Sequence, residues 1–98
     1  MTIQKSEEAG KLIIALEGRL DTTTAPELEA ELSGKKDAAE IEFDFSKLEY
    51  ISSAGLRVLL STQKAMNATG GKMVIKNVPD EVLEVFEITG FVDILTIA

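Results

Sequence analysis

Asp44-Phe45-Ser46-Lys47-Leu48-Glu49-Tyr50-Ile51-Ser52-Ser53-Ala54-Gly55-Leu56-Arg57-Val58-Leu59-Leu60 is the stretch that decides the fold. It reads as an apolar strand that runs into a sharp turn, and the turn carries two serines and opens into a helix. A serine at such a position meets free backbone N–H groups and the positive end of the helix dipole, both of which favour negative charge. The position suits phosphorylation, and it equally suits simple helix capping.

Upstream, Glu40-Ile41-Glu42-Phe43-Asp44-Phe45 alternates polar and apolar, the mark of a strand buried mainly on one face. Lys11–Gly18 is a β-branched, apolar strand ending at a glycine, and Thr2–Glu8 can pair with it across Ala9-Gly10. Thr24 and Glu27 have capping-box spacing, with Pro26 tolerated in the first turn of a helix that buries Ala25, Leu28 and Leu32 and ends at Gly34. Lys35–Ala39 is a polar loop.

Downstream, the central helix runs from about Ser53 to Asn67 and stops at Gly70-Gly71. Leu56, Leu59, Leu60 and Met66 fall on one side; Ala54, Val58 and Ala65 fall on nearly the opposite side. A helix apolar on two sides is either well buried or carries a partner face. Lys72–Lys76 is the next strand, and Pro79 opens a short helix that turns Val82, Val85 and Phe86 inward and ends at Thr89-Gly90. Phe91–Ile97 reads as a last strand. The order implies parallel strands joined by right-handed crossovers, with antiparallel pairing in the opening hairpin. The expectation is one α/β domain over residues 1–98, a mixed sheet of about five strands with helices packed against it.

Composition removes several classes of chemistry. The chain has no Cys and no His. Disulfides, thiolate or imidazole metal sites, cysteine nucleophiles and a Ser-His-Asp triad are therefore absent from it. No catalytic residue, metal or cofactor is expected. The net charge of −7 repels nucleic acid and anionic lipid and favours a basic protein surface. No apolar run reaches the roughly 20 residues of a membrane span, and Met1–Glu8 lacks the core of a signal peptide. A cytoplasmic protein with neither nucleic-acid partner nor membrane insertion is the expectation.

Three features could carry function. The first is Ser52-Ser53-Ala54-Gly55, where phosphate on Ser53 would add charge at a helix start without opposing the fold, and Gly55 would let a partner come close. The second is Asp21 in Gly18-Arg19-Leu20-Asp21. It falls near Ser53 if the two strands are neighbours, and there it could orient the hydroxyl, help hold the Mg²⁺ of an incoming nucleotide, or cap a turn. The third is Arg57, one turn into the helix, which could pair with phosphate or a partner carboxylate or stand solvated.

Taken in order and spacing, these motifs resemble the STAS domains, specifically the stand-alone bacterial anti-sigma factor antagonists. The residues that carry the resemblance are Gly18–Asp21 with Thr24-Ala25, Phe43–Leu56, Gly70–Val74 and Phe86–Phe91. The resemblance implies an antagonist that binds an anti-sigma factor serine kinase and frees a sigma factor for transcription. The kinase phosphorylates a serine at the start of the central helix, which maps onto Ser53, and a PP2C-type phosphatase resets it. Asp21, Ser52, Ala54, Gly55, Arg57 and Val58 map to the partner surface. The family's aspartate before the phosphoserine is Ser52 here, which removes a charge and leaves Ser52 as a possible second acceptor. The residue after it, often Ser or Thr, is Ala54. Many relatives continue into another helix where this sequence reaches Ala98, so a sheet face or edge covered in them is expected to be open.

Two other functions compete. In one, a non-phosphorylated STAS scaffold subunit of a transport or signalling complex docks through Ala54 and Val58, and Ser53 only caps its helix. In the other, the chain binds a small ligand or nucleotide, although it has neither a P-loop nor a dinucleotide fingerprint.

Overall fold

The computed structural model describes residues 1–33 and 38–98. Strands β1 (Thr2–Glu8) and β2 (Lys11–Leu20) form the expected antiparallel hairpin. Ala9 and Gly10 turn it with φ of +49° and +82°, the two positive angles that a tight two-residue hairpin needs. Strand β2 pairs in parallel with β3 (Glu40–Ile51), and β3 pairs in parallel with β4 (Lys72–Lys76). The sheet order is β1-β2-β3-β4.

Helix α1 (Ala25–Ser33) joins β2 to β3, and α2 (Ser53–Thr69) joins β3 to β4. Because strand order follows chain order, right-handed crossovers lay both helices on the same face of the sheet. The side chains agree. Leu12, Ile14 and Leu16 of β2, Ile41, Phe43 and Phe45 of β3, and Met73 and Ile75 of β4 are all buried. The register pairs Leu12 with Ile41, Ile14 with Phe43 and Phe43 with Ile75, so these residues line one face. Leu28 and Leu32 of α1, Leu56, Leu59 and Met66 of α2, and Val82 and Phe86 of α3 (Asp80–Thr89) close the core over it. Phe86 lies 6.5 Å from Phe45, which meets Phe43 edge-on at 5.8 Å.

Several expectations are corrected. Phe91–Ile97 is not a strand: Phe91–Asp93 form a 3₁₀ turn, and among the described residues the segment pairs with the sheet through one parallel bridge, Ile75 to Ile97. The sheet therefore has four strands among the described residues rather than about five. Leu95 N–H donates to Phe91 O at 2.8 Å, so the inward residues Phe91 and Leu95 are spaced as in a helix, not alternately as in a strand. Strand β2 does not end at Gly18. It passes through that residue, whose φ of +104° marks an irregularity in the pairing, and continues to Leu20. Leu60 is only half-buried. The expected helix end at Gly34 and most of the polar loop lie outside the described residues.

The other face of the sheet carries charge. Glu42 Oε1 lies 2.8 Å from Lys11 Nζ and 3.0 Å from Lys76 Nζ, so a largely covered oxygen is neutralised by ammonium groups from both neighbouring strands. The hydrogen bond from Lys11, then that from Lys76, holds the Glu42 carboxyl below the usual carboxylate range. A carboxyl held low in the folded state stabilises it above the unfolded pKa, and that stabilisation is lost as pH falls through the folded value. The urea midpoint should therefore drop on acidification below about pH 4.5, and Glu42→Gln should flatten that drop. An unchanged pH profile in the variant would show that the network contributes nothing.

Candidate functional site at the start of helix α2

Parallel pairing carries the ends of β2 and β3 to one place, with Leu20 opposite Ile51. The Ser52 N–H donates to Leu20 O at 2.9 Å, so the residues that follow each strand, Asp21 and Ser52, adjoin. The two stretches singled out in the sequence therefore meet.

The two serines divide the work. Ser52 keeps extended backbone, φ −101° and ψ 175°, and its Oγ accepts the Gly55 N–H at 3.4 Å. Its carbonyl accepts the Leu56 N–H at 2.9 Å, the first bond of the helix. The capping serine is thus Ser52, correcting the alternative in which Ser53 caps. Ser53 is the first helical residue and is exposed, and its hydroxyl makes no hydrogen bond to a described residue. The N–H groups of Ser53 and Ala54 lie in the first turn, where a helix offers no partner of its own.

The cap can be tested. Ser52→Ala should cost about 0.5–1 kcal/mol in chemical unfolding, the low end for a lost cap because the bond is long. Ser52→Asp should restore or exceed wild-type stability, since a carboxylate both caps and complements the dipole.

Gly55 does not open the surface to a partner. It is buried, and a Cβ built on it would stand 2.7 Å from Leu20 Cγ and 2.9 Å from Ile51 Cγ1. The missing side chain lets α2 press against the ends of both strands.

Asp21 acts as a cap. Its Oδ1 accepts the Thr23 N–H at 3.0 Å and the Thr24 N–H at 3.2 Å, and its carbonyl accepts the Ala25 N–H at 2.8 Å. Thr24 Oγ1 accepts the Asp21 N–H at 2.8 Å and lies 2.8 Å from Arg19 O, so the expected Thr24–Glu27 capping box gives way to an aspartate turn. The Thr24 N–H, then the Thr23 N–H, holds the Asp21 carboxyl below its ordinary range. Asp21 Oδ2 faces Arg19 Nε at 3.8 Å. Asp21 Oδ1 is taken up by the turn, and no hydrogen bond joins the Asp21 carboxylate to the Ser53 hydroxyl. No group of three or more acidic side chains among the described residues could hold a metal.

Arg19 and Tyr50 escaped the sequence reading. They sit opposite each other in the β2–β3 register, and the Arg19 guanidinium lies 4.2 Å from the Tyr50 ring centroid. Their signal was present, since each precedes a singled-out residue by two positions on paired strands. Arg57 is exposed, Ala54 half-buried and Val58 only 7% accessible. The second apolar side of α2 is therefore largely turned toward α1, with Val58 as its floor.

The STAS domain family pattern matches residues 1–98. The chain belongs to the STAS domain family. A Bordetella bronchiseptica protein named as an anti-sigma factor antagonist, BtrV, is 42% identical over 91% of this chain and 78% of its own length. The Staphylococcus aureus anti-sigma-B factor antagonist is 34% identical over 80% of this chain and 74% of its own. Among solved structures, the anti-sigma factor antagonist SpoIIAA in its unphosphorylated form superposes with a TM-score of 0.86 at 22% identity, covering 99% of this chain and 88% of that one. Its phosphorylated form superposes with a TM-score of 0.80 at 21% identity, covering 99% and 91%. The fold is thus the STAS α/β fold, and the curated relatives are named as regulators. Ser52 stands where the resemblance implied an aspartate, and its geometry shows what the exchange keeps: serine and aspartate are equally good caps. No helix among the described residues is long and apolar enough to cross a membrane.

Proposed function

We propose that this chain is a cytoplasmic anti-sigma factor antagonist, one STAS domain over residues 1–98, that binds an anti-sigma factor serine kinase and is released when the kinase phosphorylates Ser53. The observation that carries this reading is the exposed Ser53 hydroxyl on the first residue of α2, beside a cap made by a different serine. Bound to the unphosphorylated chain, the kinase cannot hold its sigma factor, and transcription follows.

The chain supplies only the acceptor and is not itself an enzyme. Ser53 Oγ attacks the terminal phosphorus of ATP held by the kinase, the bond to ADP breaks, and the hydroxyl proton passes to a base of the kinase. The product carries roughly −1.5 to −2 added charge at the positive end of the helix. The dipole favours it locally, and the α2 hydrogen bonds need not change. The partner surface meets a group that is larger and more negative, and affinity falls. A PP2C-type phosphatase then hydrolyses the ester with water. The relatives' names support the antagonist role, and the serine geometry supports Ser53 over half-buried Ser52 as acceptor.

The test is purification of the tagged chain from its native cells, read by mass spectrometry for partners and phosphopeptides. A kinase-type anti-sigma factor with phosphate on Ser53 is the expected result. A transport ATPase, with Ser53 unmodified under every growth condition, would overturn it in favour of a docking scaffold.

A further inference from the structure

A groove lies between the first halves of α1 and α2. Its floor is Ala25, Ala54 and Val58; its rims are Pro26 and Glu29 on α1 and Arg57 on α2. Pro26, Glu29 and Arg57 are exposed. Neither Glu29 nor Arg57 has an ion-pair partner among the described residues, so the two opposite charges face the groove from either side without meeting. An apolar trough with a free carboxylate on one wall and a free guanidinium on the other has a definite complement. That complement is a protein segment presenting an apolar side chain between a basic and an acidic residue, in an order that fixes its direction along the groove.

Continuity adds to the charge pattern. Ala54 and Arg57 belong both to the groove and to the first turns of α2 that begin at Ser53. A segment seated there would lie beside the hydroxyl that is modified. We infer that the groove between α1 and α2 receives such a segment of the kinase partner, and that Glu29 and Arg57 set which partner is accepted. The inference rests on the proposed kinase partnership and extends it from α2 to α1, which the sequence reading left out.

The test uses the full chain and the serine kinase identified by the purification above. Glu29→Arg and Arg57→Glu should each weaken binding about tenfold, as reversal of a complementary charge does. Both sites are exposed, so circular dichroism and urea midpoints should match wild type. Hydrogen exchange along Ala25–Ser33 should slow in the complex. Unchanged affinity in both variants and unchanged exchange on α1, with Ser53→Asp still weakening binding, would overturn the groove and leave the switch standing. Unchanged affinity in all three variants overturns both. A free chain that sediments as a dimer, dissociated by Glu29→Arg, overturns the kinase segment as occupant in favour of a second copy.

Discussion

Phosphorylated at Ser53, the chain should bind its kinase at least tenfold more weakly while unfolding within about 1 kcal/mol of the unmodified protein. The two halves of this result have separate causes. Stability is spared because the Ser53 hydroxyl makes no bond to a described residue, so none is lost, and the cap on Gly55 belongs to Ser52. The helix dipole should add a few tenths of a kcal/mol in favour of the phosphate. Affinity falls because a tenfold change needs only about 1.4 kcal/mol, and a doubly charged group at an interface readily costs that much. Ser53→Ala should bind like wild type and resist modification. Ser53→Asp should fall between, since its single charge is smaller than phosphate's. Calorimetry with the kinase and urea unfolding of each form measure the two halves independently. Equal affinity of the phosphorylated and unmodified chains would refute the switch, whatever the stability.

The second large effect is on folding. Gly55→Val should destabilise the domain by about 2–3 kcal/mol and disturb the start of α2. Any Cβ at this position meets Leu20 Cγ at 2.7 Å and Ile51 Cγ1 at 2.9 Å, and Leu20 is fully buried. Neither side chain can retreat without opening the core where β2 and β3 end. Valine is only a few tenths of a kcal/mol better than glycine as a helix former, too little to offset the overlap. Binding should fall with stability, because the shifted turn carries Ser53. Gly55→Ala separates the causes: it adds the same Cβ but gains up to about 1 kcal/mol of helix propensity, so its net loss should be smaller. A valine variant as stable as wild type would show that the turn relaxes freely.

The strands of the core were legible because alternation is a local signal. Ile41, Phe43 and Phe45 announce a one-sided strand without reference to anything distant. The misread tail shows the limit of that signal. Phe91–Ile97 is rich in β-formers, yet Gly90 takes the left-handed conformation at φ +80°, and the Phe91–Leu95 bond winds the segment into a turn. Only packing under α3 decides between the two. The site was half legible. That its two stretches would meet was legible because each ends a strand, but the contacts of each side chain depend on what the parallel register brings across from β2. Nothing near position 55 says that Leu20 will stand against it. Nothing near Asp21 says that its side chain will gather the Thr23 and Thr24 N–H groups into a turn ahead of α1, in place of a Thr24 capping box. Capping residues of equal aptitude are separated by a rotation of the backbone, which a one-dimensional pattern does not record.

Tyr50 gives the site an optical signature. The sequence contains one tyrosine and no tryptophan, so the whole intrinsic ultraviolet emission of the chain above that of phenylalanine comes from this ring. It lies under the Arg19 guanidinium, one residue before Ile51 and two before the capping serine. The unlabelled protein therefore carries a single optical reporter at the edge of the proposed switch. Modification of Ser53, release of the Arg19 stack, or arrival of a partner over the strand ends can each be followed in real time through the quenching and anisotropy of one fluorophore whose address is known.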